Sequence, residues 1–330
     1  MMHVATKQVT RRSIAINALR GGIGLVLGGV LAAGFSPVAR ADNRIVRIGI
    51  QKAVTFNIVR GSGALERALA ASNVSVVWKE FPGGPQMLEA LNVGAIDFAT
   101  TGEAPPIFAQ AAGAPLLYVG AQPSAPKGEA IIVPSDSPLH ALGDLKGKRV
   151  ALNKGSNVHY LLVRALASVG LTPSDIRPIY LPPADARAAF EQGSVDAWVI
   201  WDPFLAAARA ATGARVLADG TGLVPNRQYL LASRTLAAQQ PDTVRTILSE
   251  IEKSDRWASE NRADAAKLLA AGMGLPVPIV EAAMDGFGFG VEPMSPPIVA
   301  DQQRIADTFA DLRLIPAKID VASAVWTPPA

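Results

Sequence analysis

Hydrophobic and polar positions in the N-terminal third of the chain follow two alternating periods. Short β-branched runs over residues 45–50, 74–81 and 96–99 are bounded by Gly and polar residues, as buried strands usually are. Between them, residues 64–71 and 86–92 place apolar side chains three or four apart, which forms one face of a helix. The pattern predicts a β-α-β-α-β unit, and that order implies a parallel sheet with right-handed crossovers.

The same pattern recurs about 100 residues further along the chain. Strands are predicted over residues 148–152, 176–181 and 195–201, with helices over residues 158–169 and 184–192. The two units also end alike, in Gly-Ala-Ile-Asp and in Gly-Ser-Val-Asp, and the two Asp residues are 99 positions apart. We therefore predict two α/β lobes of similar construction.

Two further apolar runs flank the second unit, at residues 129–134 and 228–232, and they suit chain crossings between the lobes. The mostly helical segment from residue 241 onward is expected to pack back on the first lobe. The predicted division gives lobe I residues 42–128 and 223–330, and lobe II residues 129–222. Two lobes with two crossings form a hinged cleft that closes around a ligand.

The first 41 residues have the features of an export signal. Arg11 and Arg12 precede an uncharged span of 19 residues, 21–39, and Ala39-Arg40-Ala41 follows as a small-residue cleavage site. This order predicts a signal peptide over residues 1–41 and a soluble periplasmic product. The paired arginines resemble a twin-arginine signal, and whether export uses that route or the general one stays open. An uncleaved membrane anchor is the alternative, although six glycines and a proline in the span favour removal.

Composition and charge narrow the function further. Hydrophobic residues make up 49% of the 330 residues, enough for one or two cores. The formal charge of +3 resides in the signal, because the rest holds 26 basic against 28 acidic residues. That balance gives no basic surface for nucleic acid. There is no cysteine, so a disulfide framework and a thiolate metal site are excluded. We expect no cofactor or metal, and we expect the protein to be a monomer.

Ligands of open α/β sheets bind beyond the carboxyl ends of the strands, so the loops there supply the candidate binding residues. Gln51 follows the first strand, and a run of polar residues ending in Glu103 follows the third. A Gly-containing turn joins the first strand of lobe II to its helix, and an aromatic residue ends the last strand. The candidates are Gln51, Thr100, Thr101, Gly102, Glu103, Gly155, Ser156, Asn157, Trp201 and Asp202.

Two of these loops are expected to present backbone N–H groups to the cleft. Gly102 and Glu103 lead into a helix that starts near Pro105, and Ser156 or Asn157 is suited to cap the next one. Helix N-termini attract anions. Glu103 either favours the helix dipole or faces a cationic group on the ligand.

The remaining candidates have competing structural interpretations. Asp202 before Pro203 is more typical of a helix N-cap than of a ligand contact. Trp201, at a strand end, is suited to wall the cleft and cover an apolar tail. His159 is better explained as a packed or surface helix residue than as a ligand group. Together the loops suit a small anion with an apolar part.

Six segments in the same order along the chain resemble aliphatic-sulfonate-binding proteins of ABC importers. They begin with Gly-Gly-Pro-Gln at residues 83–86 and continue with residues 89–94, 101–110, 153–162 and 181–190, followed by Ala-Trp-Val-Ile-Trp-Asp-Pro at 197–203. The resemblance implies a two-lobed periplasmic-binding fold of the second type, with parallel or mixed sheets, and a role in sulfur acquisition. It also implies a permease partner and a sulfonate held by Thr101, Gly102, Ser156 and Asn157.

Other functions compete with this interpretation. Relatives of the resembled family bind taurine, nitrate or pyrimidine precursors. A binding protein of the same fold for taurine, a sulfate ester or nitrate is therefore one alternative, and Glu103 would suit taurine's ammonium group. Thiamine-precursor synthases share the superfamily's fold, so an enzyme is the rival class. The chain holds only three histidines, His3, His140 and His159, and no catalytic triad or paired-carboxylate motif stands out. No catalytic residue is therefore predicted.

Overall fold

The computed structural model describes residues 44–52 and 54–329. The predicted signal over residues 1–41 lies outside the described residues, as do the first two residues of the predicted lobe I.

The first of two five-stranded sheets is mixed. Its parallel core consists of β1, which pairs with β2 on one side and with β3 on the other. β10, from far along the chain, lies antiparallel between β3 and β4, so the strand order is β2-β1-β3-β10-β4. The strands are β1 Arg44–Ile50, β2 Val74–Glu80, β3 Phe98–Gly102, β4 Leu116–Ala121 and β10 Gln228–Ser233.

The second sheet repeats this arrangement. β6 pairs in parallel with β7 and β8, and β5 lies antiparallel between β8 and β9, giving the order β7-β6-β8-β5-β9. The strands are β5 Glu129–Val133, β6 Arg149–Leu152, β7 Arg177–Tyr180, β8 Ala197–Trp201 and β9 Arg215–Asp219. The predicted α/β class with two mixed sheets is confirmed, and β5 and β10 are the two inserted antiparallel strands.

The two repeat units contain equivalent Asp–Arg ion pairs, one in each sheet. Asp97 accepts hydrogen bonds from the backbone N–H of Arg47 and from its guanidinium, at 2.7–2.8 Å. Asp196 accepts the same set from Arg149, at 2.7–3.2 Å. Each Asp lies just before the third strand of its repeat unit and is hydrogen-bonded to the first strand of that unit. This contact explains why both repeat units end in Asp.

Twelve α-helices cover the sheets within the described residues. They are α1 Val54–Ser62, α2 Ala64–Ala70, α3 Gly84–Asn92, α4 Ala104–Ala111, α5 Asn157–Ser168, α6 Pro183–Glu191, α7 Phe204–Thr212, α8 Arg234–Gln239, α9 Pro241–Glu260, α10 Arg262–Met273, α11 Val277–Met284 and α12 Pro296–Asp311. Apolar residues of α9, including Val244, Ile247 and Ile251, pack against β1 and β10 in one continuous core. α9 therefore returns to the first sheet, whereas α11 also contacts α7, which follows a strand of the second sheet.

Several boundaries differ from the sequence prediction. The strand predicted over residues 96–99 is observed at 98–102, so Thr100, Thr101 and Gly102 belong to β3 and not to a loop. The polar segment expected to be a loop after β1 turns into α1 at Val54. β4 and β9 were not predicted. Among the described residues no single helix is long and apolar enough to cross a membrane; α10 and α11 pass that test only as a pair bent by 117°.

Candidate functional site

A cavity lies where the carboxyl ends of β1, β3 and β8 meet the segments that connect the two sheets. Its unfilled space is about 540 Å³ when the part open to solvent is counted, and the centre of a water molecule can occupy about 20 Å³ of it. It is lined by Gln51, Gly84, Gly102, Pro105, Gln122, Pro123, Ala125, Gly128, Ser156, Asn157, Trp201, Asn226, Gln228, Gly286, Phe287 and Gly288. Five of the ten candidate residues line it, namely Gln51, Gly102, Ser156, Asn157 and Trp201.

The lining carries no ionisable side chain among these described residues. Its polar groups are five carboxamides and the hydroxyl of Ser156, and glycine and proline backbone supplies much of the remaining wall. A charged ligand would therefore be neutralised by hydrogen-bond dipoles and not by a counter-ion. Dipoles held in place need no reorganisation when the charge arrives.

The first-sheet side of the cavity is formed where β3 ends and α4 begins. Gly84 packs so closely on Pro105 that a Cβ on Gly84 would lie 2.7 Å from the proline Cγ. Because Pro105 and Pro106 have no N–H, the first turn of α4 offers the N–H of Ala104 and that of Glu103 before it. Prolines at the helix start thus reduce the number of donors that the sequence pattern suggested.

Thr100 and Thr101 lie behind this wall. Both are buried, and the hydroxyl of Thr101 donates to the carbonyl of Gly102 at 3.1 Å. The hydroxyl of Thr100 is buried without a partner among the described residues. Neither side chain lines the cavity.

The opposite wall is the turn between β6 and α5. Gly155 has φ of +75°, a conformation that glycine adopts without strain. Its N–H donates to Nδ1 of His159 at 3.3 Å and is therefore not available to a ligand. Ser156 occupies the N-cap position of α5, but its hydroxyl donates back to the carbonyl of Asn153 at 2.7 Å. The first turn of α5 begins at Asn157, so its N–H groups lie at the cavity wall.

His159 serves this turn as an acceptor. It is buried against Phe108 and Phe309, whose ring centroids lie 6.5 and 5.9 Å from that of the imidazole. Burial, assisted by Lys154, lowers the pKa of His159 to about 4. The neutral imidazole keeps Nδ1 free to accept from Gly155.

Asn157 is the most connected residue of the lining. Its Nδ2 donates to Glu129 and also, at 3.1 Å, to Oδ1 of Asn226. Asn226 in turn donates to the carbonyl of Ala125 at 2.8 Å. Since a carboxamide has two N–H donors, the amide hydrogens of Asn157 are both used inside the protein.

Glu103 is fully buried and does not reach the cavity. Its Oε2 accepts from the backbone N–H of Arg227 at 3.1 Å, and its carbonyl accepts from Gln302 at 2.7 Å. Burial raises the pKa of Glu103 to about 8, and the Arg227 N–H opposes that rise. The contact with a cationic ligand group considered for Glu103 is therefore absent from this structure.

Trp201 lines the cavity, whereas the neighbouring Asp202 lines a different groove. Trp201 ends β8 and lines the cavity. The Oδ1 of Asp202 accepts from the N–H of Ala206 at 3.0 Å in the first turn of α7, as a helix cap does. Burial raises the pKa of Asp202 to about 7. Asp202 borders a neighbouring groove with Lys127 and Arg209 and not the cavity itself.

Sequence reasoning missed the lining residues that come from the connecting segments. Gln122 follows β4, Asn226 precedes β10, Gln228 is the first residue of β10, and Phe287 follows α11. The Nε2 of Gln122 donates to buried Asp255 at 2.6 Å. Burial raises the pKa of Asp255 to about 7. The flanking apolar runs marked these crossings, but nothing in their sequence marks the amides as ligand-facing.

Nothing in the described part of the chain resembles a metal site, since no group of three or more His, Asp or Glu side chains converges there.

Comparison with known proteins gives consistent matches. The sequence profile of the NMT1/THI5-like family matches residues 70–265. A relative from Escherichia coli (strain K12), provisionally named an aliphatic sulfonates-binding protein, is 44% identical over 313 residues, which are 94% of this chain and 98% of the relative. The solved alkanesulfonate-binding protein SsuA from Xanthomonas axonopodis pv. citri, bound to MOPS, is 45% identical with a TM-score of 0.82, covering 86% of this chain and 98% of that one. The periplasmic aliphatic sulphonate binding protein SsuA of Escherichia coli is 44% identical with a TM-score of 0.79, covering 87% and 93%.

Proposed function

This chain belongs to the NMT1/THI5-like family, and we propose that it is an exported solute-binding protein that captures aliphatic sulfonates for an ABC importer. The observation that carries the proposal is an uncharged, amide-lined cavity placed between the strand ends of two similar sheets.

The polar lining suits a sulfonate head group. A sulfonate spreads one negative charge over three oxygens, each of which accepts hydrogen bonds from N–H donors. The N–H groups at the first turn of α5 and at the start of α4 lie on opposite walls and supply such donors. Because no buried cation has to be separated from the ligand, release remains easy.

The apolar lining suits the tail. Trp201 and Phe287 offer aromatic surface next to the polar wall, and such surfaces cover apolar groups without specifying their length. We therefore assign head-group contacts to Gly102, Ser156, Asn157 and Gln51, and tail contacts to Trp201. We propose that the other five candidates do not contact the ligand and instead support the residues that form the cavity wall. They are Thr100, Thr101, Glu103, Gly155 and Asp202.

The two sheets correspond to the lobes of the proposed cleft. Lobe I comprises residues 44–128 and 223–329, lobe II residues 129–222, and the chain crosses at residues 127–128 and 220–227. The crossings lead into β5 and β10, each of which lies between two other strands of its sheet. Rotation of the backbone at these crossings would open the cavity.

Binding is favoured over catalysis because the lining holds no acid, base or nucleophile apart from Ser156. The hydroxyl of Ser156 is directed to the Asn153 carbonyl, and the neighbouring His159 is an acceptor for a backbone N–H. We propose that the protein acts as a periplasmic monomer after removal of residues 1–41 and delivers its ligand to a membrane permease.

Calorimetric titration of the ligand-free protein with ethanesulfonate, octanesulfonate, taurine, sulfate and nitrate tests this proposal. We expect an alkanesulfonate to bind in the micromolar range or tighter, and sulfate to show no detectable binding. A preference for taurine would require a cation-binding group that the cavity lining lacks, and silence of all sulfonates would reject the proposed ligand class.

A further inference from the structure

Two buried carboxyl groups lie behind the cavity wall, one on each side of the crossing between the sheets. Glu103 follows β3 of the first sheet, and Glu129 is the first residue of β5 in the second. Both side chains are fully buried. Each has one oxygen, Oε1, that is buried without a hydrogen-bond partner among the described residues.

Both carboxyls are connected to the crossing that contains Asn226 and Arg227. Glu129 accepts from the amide of Asn157, which also bonds to Asn226. Glu103 accepts from the N–H of Arg227, the residue after Asn226. The chain of contacts thus joins the first residue of α5 to both crossings.

Glu129 determines which way the Asn157 amide points. With the amide turned over, the oxygen of Asn157 would face the carboxyl oxygen of Glu129 and the oxygen of Asn226, and two hydrogen bonds would be lost. Holding the amide also holds the first turn of α5, whose N–H groups form the cavity wall.

We propose that Glu129 is a positioning residue of the ligand cavity, and that it holds Asn157 and Asn226 as part of a carboxyl pair with Glu103 that retains a proton. This inference rests on the proposed function, because the ligand is taken to be an anion.

The retained proton follows from the surroundings. An ionised oxygen that is buried without a donor is costly, and two ionised carboxyls at one site disfavour each other. Burial, and then the charge of Glu103, raise the pKa of Glu129. A second negative charge behind the wall would oppose an anion in the cavity, so loss of the proton should weaken binding.

The neighbouring groups do not supply a compensating charge within the described residues. Arg227 is the cation beside Glu103, and its guanidinium pairs with Glu292 at 2.5 Å. Asp301 on α12 adds a negative charge near Glu103. Tyr160 on α5 and Tyr229 on β10 also face Glu103, and burial raises the pKa of both phenols, which therefore stay neutral.

The test measures the dissociation constant for ethanesulfonate from about pH 6 to about pH 9 in the wild-type protein and in Glu129→Gln, Glu103→Gln and Glu129→Leu. The sulfonate itself stays ionised throughout, so a pH profile reports on the protein. We expect wild-type affinity to fall by about tenfold or more across this range. Glu129→Gln keeps an acceptor for Asn157 and carries no charge, so its affinity should stay near the wild-type value at low pH and fall less than that of the wild type as the pH rises. Glu103→Gln, which removes the other carboxyl of the pair, should likewise fall less than the wild type.

Glu129→Leu removes the acceptor and should lose at least about tenfold at every pH, whereas exposed Glu89→Gln should follow the wild type. Identical profiles for wild type and Glu129→Gln, or a Glu129→Leu variant with wild-type affinity, would overturn the inference. Infrared spectra of the ligand-free proteins separate the two proposals. A protonated-carboxyl band at neutral pH that weakens in Glu129→Gln would support the pair even if no sulfonate binds, and its absence would overturn the pair.

Discussion

Gly102 and Asn157 contact each other directly in the wall of the cavity. A Cβ on Gly102 would lie 2.8 Å from both Cγ and Oδ1 of Asn157. Gly102 ends β3 of the first sheet, and Asn157 begins α5 beside the second. A residue at the strand end therefore contacts the helix start directly, and glycine is what allows that approach.

Gly102→Ala should weaken alkanesulfonate binding by at least about tenfold, because the added methyl group must displace Asn157 from its contact with Glu129. Titration calorimetry measures the loss. Gly143→Ala is the matched control, since a Cβ there meets nothing within 4 Å. Equal affinities for the two variants would show that the contact is unimportant for the ligand.

Gly128→Ala should weaken alkanesulfonate binding by at least about tenfold, because it distorts the cavity wall. Gly128 and Gly286 both line the cavity, and a Cβ on Gly128 would lie 2.1 Å from the carbonyl oxygen of Gly286, which is backbone and cannot rotate away. Titration calorimetry measures the loss, with Gly143→Ala again as the control. A Gly128→Ala variant with the affinity of the control would show that this contact does not shape the ligand site.

Trp201→Ala should lower the affinity for octanesulfonate by roughly 10- to 100-fold, as expected for losing about 1.5–3 kcal/mol of apolar contact, and should affect ethanesulfonate less. Trp257→Ala, at a half-exposed tryptophan far along α9, is the control. If both sulfonates lose affinity equally, Trp201 shapes the head-group site and does not contact the tail.

Asp202→Asn should make stability less dependent on pH. Burial raises the pKa of Asp202 from 3.8 to about 7, so the folded protein binds this proton more tightly than the unfolded chain. The stability it confers is complete below about pH 4 and is lost as the pH rises through 7. Asn keeps the acceptor for Ala206, so thermal unfolding at pH 8 should show a variant at least as stable as wild type. A variant less stable than wild type at pH 8 would contradict this.

Periodicity predicted most of the parallel strands and their helices, because alternation between the two periods depends on local burial alone. It missed β4 and β9, edge strands of the two sheets, and α1, whose first turn follows a polar run. The insertion of β5 and β10 into the sheets could be suggested from apolar runs, but their antiparallel register depends on partners about 100 residues away.

The site was predictable where it follows strand ends, as with Gly102 and Trp201. The site was not predictable where its residues come from segments far away in the sequence, as with Gln122, Asn226 and Phe287. Nor could the sequence show that Glu103 and Gly155 satisfy partners inside the protein, since both lie in segments where a ligand-facing role was equally reasonable.

The central claim is that a sulfonate occupies the cavity with its head between β3 and α5 and its tail toward Trp201. The most direct test is a crystal structure with bromoethanesulfonate, whose bromine is located by anomalous scattering. We predict sulfonate oxygens within hydrogen-bond distance of the N–H groups at the start of α5, and bromine beside Trp201. A sulfonate bound outside this cavity, or a bromine signal on the side opposite Trp201, would contradict the account.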